Sequence, residues 1–160
     1  VSDTIVLRAA VPGDEALVAR FVRDLAEYEH LTHEVLGTEA DYRRALFGTP
    51  QRLWALFACR GDEPVGFALW FYTFSTFAGR PSLYVEDVFV RPEQRGRGIG
   101  RMIFRHLAGL ALQEGCARME WTVLDWNAPA IGFYRAIGAR PRDEWTIQRL
   151  DGEALRAFAQ

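Results

Sequence analysis

The sequence predicts an α/β domain built on a mixed, mostly antiparallel sheet with flanking helices. Three observations carry that expectation. Runs of alternating apolar residues interleave with amphipathic stretches of helical period, the pattern of a layered helix–sheet domain. Two neighbouring strand patterns, 53–60 and 65–74, are joined by Gly61-Asp62-Glu63-Pro64, a hairpin signal. Further on, a strand pattern, a glycine turn and a long helix pattern lead to another strand, a crossover expected to be parallel and right-handed.

Each element follows from local chemistry. Residues 4–10 read as a strand. Asp14 caps a helix to about residue 30, with Leu17, Val18, Phe21, Val22 and Leu25 on one apolar stripe. Thr38, with Asp41 three residues on, starts a shorter helix to about residue 47. The two hairpin strands follow, then a loop over 75–82 that holds Gly79 and Pro81. Residues 83–90 form the next strand. Ile99, Ile103, Leu107, Leu110 and Ala111 mark the core face of a helix over 99–114. Residues 118–123 read as a strand, and Asn127 caps a helix carrying Ile131, Phe133 and Tyr134. Gly138 ends that helix as a left-handed cap. A last strand over 144–150 and a short helix from Asp151 complete the pattern. With no repeat or linker in view, residues 1–160 read as a single domain.

Composition narrows the function. A net charge of −2 leaves no basic excess for nucleic acid. All 19 basic residues are arginine, and Arg91, Arg95, Arg97, Arg101 and Arg105 cluster, which suits one small anionic ligand. The N-terminal third gathers acids instead: Glu27, Glu29, Glu34, Glu39 and Asp41. Cys59 and Cys116 read as small buried hydrophobes with no disulfide framework. No signal peptide or membrane-length apolar run stands out, so the cytoplasm is the expected compartment and a membrane is not an expected partner. His30, His33 and His106 are not grouped with other ligands at metal spacing, so no metal is expected.

The segment Arg95-Gly96-Arg97-Gly98-Ile99-Gly100 lies between the apolar run 85–90 and the helix pattern starting at Ile99. Alternate glycines let backbone approach a ligand closely, and a helix start offers free N–H groups to an anion. Arg95, Arg97 and Arg101 bring positive charge to the same place. The chain has no lysine for a P-loop, and its G-x-G-x-G spacing is not that of a dinucleotide fingerprint. A pyrophosphate cradle of another kind remains. Nearby, Val85-Glu86-Asp87-Val88 sets two acids side by side in an apolar run, breaking the alternation and suggesting a bulge that aims one acid into a cleft.

These residues resemble the GCN5-related N-acetyltransferase (GNAT) family: Arg95-x-x-Gly98-x-Gly100 matches its pyrophosphate motif, and the element order matches its fold. The resemblance is closer to the diamine subgroup containing spermidine/spermine and thialysine acetyltransferases. It rests on Leu25-Ala26-Glu27-Tyr28-Glu29, Tyr84-Val85-Glu86-Asp87-Val88-Phe89-Val90, Asp125-Trp126-Asn127-x-Pro129-Ala130 and Phe133-Tyr134-x-x-x-Gly138-Ala139. It implies acetyl-CoA as co-substrate and a β-α-β coenzyme-binding core. Gly96, Arg97, Gly98, Ile99, Gly100 and Arg101 would receive the pyrophosphate. Val88, Phe89 and Val90 would run beside the pantetheine arm, helped by Asn127, with a backbone N–H near Val88 facing the developing oxyanion.

The same resemblance implies that Glu86 acts as base, or organises water, for an amine nucleophile, and that Tyr134 protonates the departing thiolate. Tyr28 and Glu29 match positions that contact the amine in the subgroup, and Glu86, Asp87 and Glu144 are further acidic candidates for holding a small cationic amine. Ser75 stands where polyamine enzymes of the subgroup place an acid, so a short diamine or a lysine-like amino acid is expected to outperform spermine. Many family members are homodimers, and a second copy is an expected partner. The competing expectations are an acyl-CoA-binding regulator with weak catalysis and an acetyltransferase of protein N-termini or lysines.

Overall fold

The computed structural model describes residues 4–160. Five strands form one sheet in the order β1 (Ile5–Ala9), β2 (Trp54–Arg60), β3 (Glu63–Ser75), β4 (Arg80–Val90) and β5 (Met119–Glu120). The first four are antiparallel neighbours, whereas β5 runs parallel to β4. The crossover between β4 and β5 carries α3 (Ile99–Gln113). Helices α1 (Glu15–Tyr28) and α2 (Glu39–Phe47) connect β1 to β2, and α4 (Ala128–Ala136) and α5 (Gly152–Phe158) follow β5. The chain divides into two compact units, Val1–Thr122 with the whole sheet and Val123–Gln160 with the last two helices. Among the described residues no helix is long and apolar enough to cross a membrane.

The core of the first unit explains the continuous apolar character of β2, whose Ala55–Cys59 segment is buried throughout. Ala55, Phe57 and Cys59 pack with Val18 and Phe21 of α1 and Leu46 of α2. By strand alternation Leu56 and Ala58, also buried, face the other side. The Phe21 ring stacks on Phe67 with centroids 4.9 Å apart. Helix α3 contacts β3 and β4, and its Ile99, Ile103 and Leu107 are buried, as the apolar period requires. Cys59 and Cys116 are free thiols in buried positions.

The capping signals differ in outcome. Thr38 and Asp41 form the expected capping box at the start of α2. Replacing Thr38 with alanine is expected to lower stability by about 1 kcal/mol, read from a urea unfolding curve. Asp14 occupies the N-cap of α1, yet its side chain makes no cap hydrogen bond. Its carboxylate turns back instead, accepting from Arg8 at 2.7 and 3.1 Å and from the Val11 N–H at 2.8 Å.

Three sequence expectations are corrected. Most of the expected loop 75–82 belongs to the β3–β4 hairpin, because Thr73, Phe74 and Ser75 pair with Ser82, Pro81 and Arg80. Gly79, at φ +62°, supplies the left-handed residue that makes so short a turn possible. The strand expected over 118–123 shrinks to Met119–Glu120. No strand forms over 144–150. Extended residues become a strand only by joining a ladder, and this stretch joins none; Trp145 and Ile147 remain exposed.

Candidate active site

The β3–β4 ladder pairs Leu69 with Asp87 and Trp70 with Val85, so Glu86 is an extra residue with no partner opposite. This is the bulge that the paired acids suggested. In a regular strand Glu86 and Asp87 would point to opposite faces. Here both line one cavity of about 720 Å³, together with Glu29 at the end of α1, Glu34, Tyr42 of α2 and Arg52. Its apolar wall includes Val22, Leu25, Leu53, Leu69 and Phe71.

Asp87 is pushed up to about 7, first by burial and then by the negative charges of Glu86 and Glu29. Burial also raises Glu29. Among the described residues, none of these three carboxylates has an ion-pair partner. Such a cluster favours a cation, whose arrival would restore the charged form of Asp87.

Asp87 also makes stability depend on pH. The folded chain keeps its proton to about pH 7, whereas the unfolded chain releases it near the ordinary carboxylate value. Between those limits the folded state binds more protons, so stability should fall as pH rises toward 7 and level off above. Melting temperatures measured across this window without ligand should show that slope, and Asp87→Asn should flatten it.

The glycine turn lies beyond the other end of β4. Gly96 and Gly98 adopt φ of +74° and +78°, and beyond the adjoining residues no heavy atom lies within 4 Å of the position of an added Cβ. Gly98 is the N-cap of α3 without a side-chain cap. Met102 donates the first intrahelical bond, to the Gly98 carbonyl, so the N–H groups of Ile99, Gly100 and Arg101 precede the helical ladder. Open space at the two glycines, amides that precede the helical ladder and a positive helix end fit a pyrophosphate. Arg97 and Arg101 have no ion-pair partner among the described residues.

Arg95, unlike Arg97 and Arg101, is held by several partners. Its Nε donates to the Val90 carbonyl at 2.9 Å, and its guanidinium lies 4.5 Å from the Tyr28 ring centroid and 5.2 Å from that of Phe89. Its backbone N–H donates to the Pro92 carbonyl. Tyr28 therefore sits in an aromatic–guanidinium stack and is not among the residues lining the cavity. Between cavity and cradle, β4 pairs with β5 only at Leu83 and Tyr84. Among the described residues no strand pairs with residues 85–90 on that edge, so their backbone there can pair with an extended ligand.

In the second unit, Asn127 is buried and its side-chain oxygen accepts from the Ala130 N–H at 3.3 Å, capping α4 as expected. Tyr134 is half-buried, its ring edge-on to Phe133 with centroids 5.6 Å apart. Gly138, at φ +93°, supplies the left-handed end of the helix. Glu144 is exposed and accepts from Arg142 Nε at 2.6 Å, which holds its carboxyl below the usual range.

The structure does not bring Ser75 into the cavity. Its hydroxyl accepts from the Ala78 N–H at 3.2 Å within the hairpin. Conversely, Glu34, Tyr42 and Arg52 were missed by sequence reasoning. Tyr42 follows the apolar spacing of α2 with Ala45 and Leu46, which marks an inward residue but not its cavity. Glu34 lies in a single 3-10 turn, Thr32–Glu34, and Arg52 in the loop between α2 and β2, stretches too short to show a period.

Comparison with known proteins agrees with this geometry. Residues 18–139 match the model of the acetyltransferase (GNAT) family. The chain is 37% identical to a thialysine N-epsilon-acetyltransferase of Sus scrofa over 98% of both chains. It is 28% identical to L-ornithine N5-acetyltransferase NATA1 of Arabidopsis thaliana, covering 95% of this chain and 86% of that protein. The solved structure of an integron cassette protein from the mobile metagenome of V. cholerae superimposes with a TM-score of 0.80 at 27% identity, over 98% of both chains. A bulged strand leading to a glycine cradle and a helix start, with a family match across both units, makes this chain a member of the GNAT family of acetyltransferases.

Proposed function

We propose that this protein transfers an acetyl group from acetyl-CoA, the acyl donor of its family, to a primary amine of a small cationic substrate. The carrying observation is the convergence of Glu29, Glu86 and Asp87 on one cavity without ion-pair partners among the described residues. Acetyl-CoA supplies an activated thioester when bound. Residues 96–101 would hold its pyrophosphate, residues 88–90 and Asn127 its pantetheine arm. The family match crosses the boundary between the two units, which supports one acetyltransferase domain over 1–160.

Attack requires a neutral amine, whereas an alkyl ammonium titrates near ~10. Glu86, displaced by the bulge, takes the proton directly or through water. Asp87 and Glu29 hold the cation beforehand. Tyr134 delivers a proton to the departing sulfur. Glu144, already paired with Arg142, has no part in this reading. Exposed Phe74 and Phe77 on the β3–β4 hairpin support self-association as a homodimer, and the two free cysteines suit a cytoplasmic protein.

Thiol release from acetyl-CoA, measured against ornithine, thialysine, short diamines, spermine, an aminoglycoside and a peptide, tests the proposal. Small cationic amines should support turnover. Turnover confined to the peptide, or coenzyme binding without thiol release by any amine, would refute it.

A further inference from the structure

Among the described residues, one arginine lines the acid-bearing cavity. Arg52 sits between α2 and β2, where its backbone N–H donates to the Ala45 carbonyl at 2.9 Å and fixes its place at the rim. Arg8, Arg43, Arg44, Arg91, Arg118 and Arg142 each meet a carboxylate. Arg52 meets none among the described residues, although four acids line the same cavity. The cavity therefore has two poles. Glu29, Glu86 and Asp87 interact electrostatically at one, and Tyr42 belongs there: burial first and then the Asp87 charge raise its phenol, against the opposing charge of Arg23.

The ladder separates the poles. Trp54 pairs with Trp70 and Leu69 with Asp87, so Arg52 lies two strands across from Asp87 and about three residues along. Strand spacings place their Cα atoms on the order of 14 Å apart. Two side chains and a short extended ligand can bridge that gap, with Leu53, Leu69 and Phe71 covering apolar carbons between them. A plain diamine offers nothing to the cationic pole. An amino acid with a terminal amine offers a carboxylate, which a guanidinium receives through paired, charge-assisted hydrogen bonds.

We propose that Arg52 binds the carboxylate of an α,ω-diamino acid whose distal amine is acetylated at the Glu86–Asp87 bulge. The inference rests on the acetyltransferase reading above and narrows its substrate to basic amino acids over plain diamines. Arg52 is then a specificity-determining residue; it touches substrate but takes no part in proton transfer.

The test compares kcat/KM for ornithine, ornithine methyl ester and 1,4-diaminobutane in the natural protein and in Arg52→Gln and Arg52→Lys. Arg52 is exposed, so these substitutions should leave folding intact. The natural protein should favour ornithine over both other compounds. Arg52→Gln should lower kcat/KM for ornithine roughly ten- to a hundredfold, mainly through KM, while the diamine, whose second ammonium no longer meets a guanidinium, should hold or rise. Arg52→Lys should recover part of the loss. An equal fall for all three compounds, no fall for ornithine, or a natural protein indifferent to the ester would overturn the role of Arg52 while leaving acetyl transfer intact. Failure of the natural protein to acetylate any of the three would instead refute the acetyltransferase reading for these amines, and this inference with it.

Discussion

Replacing Tyr134 with phenylalanine is expected to reduce turnover roughly 10²–10⁴-fold while coenzyme affinity stays near normal. The substitution keeps the ring that packs edge-on against Phe133 and removes only the hydroxyl. A phenol of pKa ~10 matches a departing thiolate of ~8.5 closely enough to protonate it at modest free-energy cost. Steady-state rates and calorimetric titration of acetyl-CoA check both halves of the expectation. A variant that keeps most of its turnover would leave Tyr134 as a packing residue of α4.

The second large effect is expected at Gly98. Valine there places a branched side chain on a backbone with φ +78° and fills space that the cradle leaves open. Acetyl-CoA affinity should fall by several kcal/mol through the combined loss of close approach and displacement of the helix start. Strain alone could weaken binding, so the comparison needs a matched control. Gly115 has φ +70° and equally open surroundings, but lies at the opposite end of α3. Gly115→Val should therefore destabilise the fold similarly and leave coenzyme affinity near normal. Equal affinity losses in the two variants would remove the cradle from the coenzyme site.

Much of this site is legible because its chemistry interrupts a regular pattern. Two acids between valines break strand alternation, and the structure answers with an unpartnered Glu86. Glycines at alternate positions before an amphipathic period become the left-handed N-cap of α3. The capping box at Thr38 is equally local. Elements that depend on a distant partner are less legible. Trp145 and Ile147 alternate like strand residues, yet alternation cannot supply a ladder. Ser75 and Pro81 resemble loop punctuation, but opposing register carries the hairpin through them. Arg52 and Glu34 reach the cavity only through packing between helices and sheet, which has no period along the chain.

The most direct measurement is a crystal structure of the protein with CoA and ornithine bound together. The reacting nitrogen should lie in the cavity within hydrogen-bond distance of Glu86, Asp87 or Glu29, with the pyrophosphate on the N–H groups of residues 96–101. An amine bound elsewhere while that cavity stays free of substrate, or a pyrophosphate held away from the glycine turn, would contradict an amine acetyltransferase site built on the β4 bulge.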